Sequence, residues 1–241
     1  MFPKRYWYVI ITFIIMQMIV AFIAPILHFG FGIEMLDAAV YAYIGSFIVA
    51  LIMILSLMKN DLKEEKLKHP LSIGQIIGWS VAGLFLAWIA QAIAVTIEMQ
   101  LFGIDPASEN TEVIVDFTRS NILFILIPAI IAPILEEIIF RKILFGTFYK
   151  KMNFFIAALL SSLIFAVLHL DFTHLLIYAT MGFVFAFLYV QTKRIIVPII
   201  VHMAINTIAV LGQLLIDPEM LEKMEQMQKN IQLILLGGFS P

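Results

Sequence analysis

Residues 121–151 read NILFILIPAIIAPILEEIIFRKILFGTFYKK, an apolar run with Glu136, Glu137 and Arg141 set in its interior. Crossing a bilayer takes about 20 apolar residues, so this run is long enough to span one. A charge near the bilayer centre costs about 2.5–3.5 kcal/mol on insertion scales, and such residues therefore face a bundle interior or a wet cavity and mark a function. The rest of the chain must supply the bundle that this segment requires.

Composition agrees. Of the 241 residues, 62% are hydrophobic and 13% charged, and the mean hydropathy of +1.02 is too high for a soluble core to hide. The expected class is all-α, a polytopic transmembrane helical bundle forming one domain over residues 1–241, without internal repeats. Apolar runs mark about seven spans, at Tyr6–His28, Asp37–Met58, Ser72–Glu98, Asn121–Tyr149, Asn153–His169, Thr173–Gln191 and Ile195–Ile216. The first run is too long for a signal peptide and reads as an uncleaved span. Nothing supports nucleic-acid binding, and the absence of Cys excludes disulfides, thiolate metal sites and a cysteine nucleophile.

Lysine and arginine sort the loops. Lys4 and Arg5, the group Lys59, Lys63, Lys66 and Lys68, then Arg141, Lys142, Lys150 and Lys151, and finally Lys193 and Arg194 fall on one face. The positive-inside rule places that face and the N-terminus in the cytoplasm of a multi-pass cell-membrane protein, with the C-terminus outside. The charged run at 59–70 reads as a solvated connector, Gly74 and Gly78 as a GxxxG site of close helix packing, and Ser108 as a helix cap. Beyond Asp217-Pro218, the stripe Met220, Met224, Met227, Ile231 and Leu235 predicts a C-terminal amphipathic helix lying on the lipid bilayer.

Polar residues within the spans recur at i,i+4 spacing, which puts each pair on one helix face: Glu137 with Arg141, and His202 with Asn206. Measured along helices from the basic loops, Glu136 lies about 21 Å up, His169 about 27 Å, and His202 and Asn206 about 12 and 18 Å, depths that permit convergence. Pro128 and Pro133 remove amide donors and leave the carbonyls of Phe124 and Ala129 without helical partners, so span four should be broken near Glu136. A carboxylate, two imidazoles and an amide inside a membrane make a hydrolase site. Glu136 acts as general base on a water also held by His169, and His202 and Asn206 donate to the oxyanion. The competing reading is a non-proteolytic membrane protein, either a peptide-binding immunity factor or a transporter that uses these groups as a proton relay.

Three patterns then appear in order: EExxxR at Glu136–Arg141, FxxxH at Phe165–His169 and HxxxN at His202–Asn206. Together, over residues of about 120 to 212, they resemble the CPBP family, the CAAX-protease and bacteriocin-processing intramembrane proteases also called Abi. The resemblance implies an endopeptidase with catalytic Glu136, His169, His202 and Asn206, supported by Glu137, Arg141 and Phe165. Its substrate would be a membrane-associated or hydrophobic peptide or protein. No cofactor is the expectation, because HExxH is missing; the alternative is zinc held by Glu136, His169 and His202. Asp171 or Thr173 is expected to cap the sixth span, and His174 to stand at the rim.

Overall fold

Six of the helices in this computed structural model are long and apolar enough to cross a membrane, and a seventh apolar helix is shorter. The structure describes residues 2–105 and 109–215, with Met227. Ser108 and the segment from Asp217 to Leu235 expected to lie on the bilayer fall outside the described residues, apart from Met227. The described helices, in chain order, are α1 (Lys4–Phe31), α2 (Met35–Lys68), α3 (Ile73–Phe102) and α4 (Glu109–Ser120), then α5 (Ile122–Phe148), α6 (Phe154–Leu168), α7 (Leu175–Thr192) and α8 (Ile196–Leu215). This is the all-α membrane bundle expected, with about seven spans.

α5 is the axis. Its apolar window is 56% buried, against at most 39% for any other span. Leu135, Ile138, Ile139, Phe140 and Ile143 pack into a core with Val9 and Phe13 of α1 and Phe47, Ile54 and Met58 of α2. A second core joins Ala87 of α3 to Met181, Phe185 and Leu188 of α7 and to Val197, Val201 and Ile205 of α8. The polar residues lie at the seam between these two cores, where neither needs to accommodate them alone.

The run 59–70 departs in part from expectation. Most of its residues are exposed, as a solvated connector requires, but α2 continues through it to Lys68 and Glu65 within it is buried. The Glu65 carboxylate meets Lys142 Nζ, accepts from Tyr189 OH at 3.2 Å and from the backbone N–H of Ile195 at 2.7 Å, and faces Arg194. Arg5 pairs with Asp61 at 2.8 Å. Basic segments distant in the chain thus share one end of the bundle, as their spacing predicts. α3 starts instead with a capping box, in which Ser72 Oγ accepts from Gln75 N–H and the Gln75 side chain accepts from Ser72 N–H.

Glycine spacing also corrects the sequence reading. Among the described residues, Gly78 has no atom near its Cβ direction and Gly74 only Ser72, so the GxxxG pair packs against no other described helix. The close approaches occur at Gly83, against Leu188 and Val201, and at Gly182, against Ser162. A Cβ on Gly182 would sit 2.4 Å from Ser162 Oγ and 2.9 Å from its Cα, a backbone atom that cannot rotate aside. Gly182→Ala should therefore separate α6 from α7 at a cost of about 1–3 kcal/mol. Thermal unfolding in detergent checks this, and an unchanged melting temperature would contradict the packing described.

Candidate active site

The helix carrying the carboxylates is not a regular α-helix. After a 3₁₀ turn at Ile122–Ile125, π-helical winding covers Ile127–Ile131, α-winding Ala132–Glu136 and π-winding again Glu137–Phe145. In π-winding each carbonyl meets the N–H five residues on, and Ala132 N–H accordingly donates to Ile127 O. The next donor in that register would be Pro133, which has none. The carbonyl so opened belongs to Pro128 rather than to the expected Ala129, and Asn206 Nδ2 donates to it at 3.1 Å. The proline break and the amide of the third motif are therefore two halves of one contact.

Glu136 and Glu137 diverge in environment. Glu137 is fully enclosed: its side chain is 0% exposed, Arg141 Nε lies 3.3 Å from Oε2, and His202 Nδ1 lies 3.0 Å from Oε1. A carboxylate paired with arginine only accepts, so Nδ1 carries the proton in that bond. His202 Nε2 is thereby turned toward Glu136 Oε2, at 3.7 Å. The Glu136 side chain retains 14% exposure. One histidine thus joins both carboxylates, and its bond to Glu137 adds to the Glu137–Arg141 pair that the i,i+4 spacing predicts.

Arg141 is 1% exposed, and no hydrogen-bond acceptor among the described residues meets its Nη1 or Nη2. Aromatic faces surround it instead: the guanidinium carbon lies 4.4 Å from the ring centroid of Phe165, 5.2 Å from that of Phe185 and 5.8 Å from that of Phe140. Such faces attract a cation through the ring quadrupole. Phe165 has a second task, since its carbonyl accepts from His169 Nδ1 at 2.8 Å. That bond fixes the neutral tautomer with the lone pair on Nε2. Glu136, His202 and Arg141 are all within electrostatic reach of His169.

All four residues expected to be catalytic therefore belong to one neighbourhood at the ends or middles of α5, α6 and α8. Among the described residues, no three His, Asp or Glu side chains gather into a metal-ligand set, and this includes Glu136, His169 and His202.

Over residues 118–208 the sequence matches the family described as type II CAAX prenyl endopeptidase Rce1-like. Along nearly its whole length it is similar to a candidate membrane peptidase of Bacillus subtilis (strain 168), YdiL, with 44% identity over 245 residues, 98% of this chain and 99% of that protein. The chain belongs to the CAAX protease family. The membrane-embedded CAAX protease MroQ of Staphylococcus aureus (strain USA300) is 39% identical over 202 residues, 80% of this chain and 81% of MroQ. The UPF0177 protein YxdF of Lactococcus lactis subsp. lactis (strain IL1403) is 36% identical over 78 residues, 32% of this chain and 42% of YxdF. No solved structure matches.

In this CAAX protease family member, several residues around the site escaped the sequence reading. Tyr178 stacks on His169, with centroids 4.2 Å apart, and takes a hydrogen bond from Asn110 of α4. Phe185 stacks on His202 at 4.7 Å. Their signal was available: Tyr178, Gly182 and Phe185 follow i, i+4, i+7 spacing, one face of α7. His174 is not a rim residue but buried, with Nδ1 3.0 Å from the buried carboxylate of Glu98. Nor do Asp171 or Thr173 supply the main cap of α7. His174 occupies the N-cap position, Asp171 accepts from His174 N–H, and Glu98 of α3 accepts from Ile177 N–H at 3.3 Å. A carboxylate there also suits the positive end of the helix.

Proposed function

We propose that this membrane peptidase hydrolyses a peptide bond in a membrane-associated or hydrophobic peptide or protein, with Glu136 as the general base. The observation that carries the reading is the contrast between the two adjacent glutamates: Glu137 is sealed and paired, whereas Glu136 keeps 14% exposure beside His202. A base must reach the proton that it removes, and only Glu136 is accessible to water. Glu136 takes a proton from water whose hydrogen-bonding is completed by the free Nε2 of His169. The hydroxide formed attacks the carbonyl carbon. The developing oxyanion accepts from the second hydrogen of Asn206 Nδ2, the first being committed to Pro128, and from Nε2–H of His202 in its doubly protonated form, whose Nδ1–H is held by Glu137. Proton return from Glu136 to the leaving amine completes the cleavage.

Glu137, Arg141 and Phe165 are positioning residues in this scheme: Glu137 orients and balances His202, and Phe165 orients His169. The reading is metal-independent, with Glu136 rather than a bound ion activating the water. The clustering of basic segments supports placing that end of the bundle in the cytoplasm. The test is cleavage of membrane peptides by the purified, reconstituted protein, with products identified by mass. Chelator treatment is expected to leave the rate unchanged within about twofold. Activity lost to chelator and restored by one equivalent of zinc would overturn the metal-free mechanism; no cleavage of any identified binding partner would favour a binding-only protein.

A further inference from the structure

A cavity of about 410 Å³ opens at the basic end of the bundle, between the ends of α1, α2, α5 and α7, and none of the four proposed catalytic residues lines it. Its carboxylates are already engaged. Asp61 is held by Arg5 and Tyr6, Glu64 by Lys68 at 2.5 Å, and Glu65 by Lys142, Tyr189 and the Ile195 amide. Lys150 and Lys193 also line the cavity, and among the described residues neither has a carboxylate partner. The cavity thus has a neutralised floor and two uncommitted cations at its rim.

Lys193 adds an independent sign. Its φ of 52° lies in the left-handed region, at the end of α7, where glycine or asparagine is the ordinary occupant. Here a lysine is held there, and its side chain contributes to the cavity. Phe145 and Tyr149, which also line the cavity, stack with centroids 5.2 Å apart to form an aromatic wall, and Tyr149 is exposed. Tyrosine is enriched at membrane–water interfaces, with its ring toward lipid and its hydroxyl toward water. Basic pockets between transmembrane helices on the cytoplasmic side suit phosphorylated lipid headgroups.

From this we infer that the cavity binds the phosphate of an anionic phospholipid headgroup, with Lys150 and Lys193 on the phosphate and the aromatic wall beside the glycerol end. A free phosphate offers the same anion without the apolar part, and the aromatic wall favours the lipid. The test is native mass spectrometry of the full chain in detergent, titrated separately with short-chain phosphatidylglycerol, phosphatidylcholine and inorganic phosphate. Saturable binding of one phosphatidylglycerol is expected, weakened about tenfold or more in the double variant Lys150→Gln/Lys193→Gln. The control is Lys59→Gln/Lys63→Gln, which removes the same charge from exposed positions on the same end but outside the cavity; its affinity should stay within about twofold of wild type. Equal weakening in both double variants would reduce the effect to general surface charge and overturn the site. So would equal affinity for phosphatidylcholine, inorganic phosphate binding as tight as the lipid's, or the absence of binding.

Discussion

Glu136→Gln should lower peptide cleavage by about 10³-fold while leaving the melting temperature within a degree or two of wild type. General-base catalysis contributes roughly 10² to 10⁴ in rate, and a thousandfold loss corresponds to about 4 kcal/mol of transition-state stabilisation. Glutamine is nearly isosteric and keeps a carbonyl oxygen toward His202 Nε2, now 3.7 Å from Oε2, so the change removes basicity and little else. The half-buried position limits any structural penalty. Single-turnover rates on a reconstituted membrane peptide, together with circular dichroism melts, check both halves. A variant that retains more than about a tenth of the wild-type rate would remove Glu136 from the role of base.

The second large effect falls on stability. Glu137→Ala leaves Arg141 buried at 1% exposure without its one ion-pair partner among the described residues, and His202 without the Glu137 acceptor of Nδ1. Removing one partner of a buried ion pair typically costs about 3–5 kcal/mol, because the remaining charge stays uncompensated. Glu137→Leu/Arg141→Met should behave differently. The guanidinium finds no acceptor for Nη1 or Nη2 among the described residues and rests largely against phenylalanine rings. An apolar pair of similar volume is therefore expected to restore stability to within about 1 kcal/mol of wild type. Cleavage should remain lost in that double variant, because His202 has nothing to hold Nδ1. A double variant as unstable as Glu137→Ala would show that the charges themselves hold α5 in place. Recovered activity would remove Glu137 from the positioning of His202.

What could be read from sequence follows a physical boundary. The spans were legible because length and hydropathy are properties of a single segment. The pairs Glu137–Arg141 and His202–Asn206 were legible because i,i+4 spacing is written on one helix. Contacts between helices were not. Glu65 looked like one charge in a solvated run, since its partners Lys142, Tyr189 and Ile195 lie far along the chain. Glu98 and His174, separated by 76 residues, gave no joint signal for the same reason. Pro128 and Pro133 correctly announced a break near Glu136, but whether the backbone answers a missing donor by kinking or by widening its winding is decided by neighbours. Here the neighbour is Asn206. The aromatic stripe of α7 was written in the sequence, yet aromatic residues at helical spacing in a membrane span ordinarily mean nothing more than packing.

That the third motif comes from α8, the last of the described spans, has a consequence for biogenesis. When α5 leaves the ribosome, the partner that joins Glu136 and Glu137 has yet to be synthesised, and Pro128 has a carbonyl without its donor. α6, at 15 residues, is about 22 Å long, short of the hydrocarbon thickness, so it depends on its hairpin with α7 for a stable place in the bilayer. The polar centre of α5 and its proline gap thus both find their partners on α8, one helical turn apart. A chain halted before His202 lacks both the ring that joins the two glutamates and the amide that meets the Pro128 carbonyl.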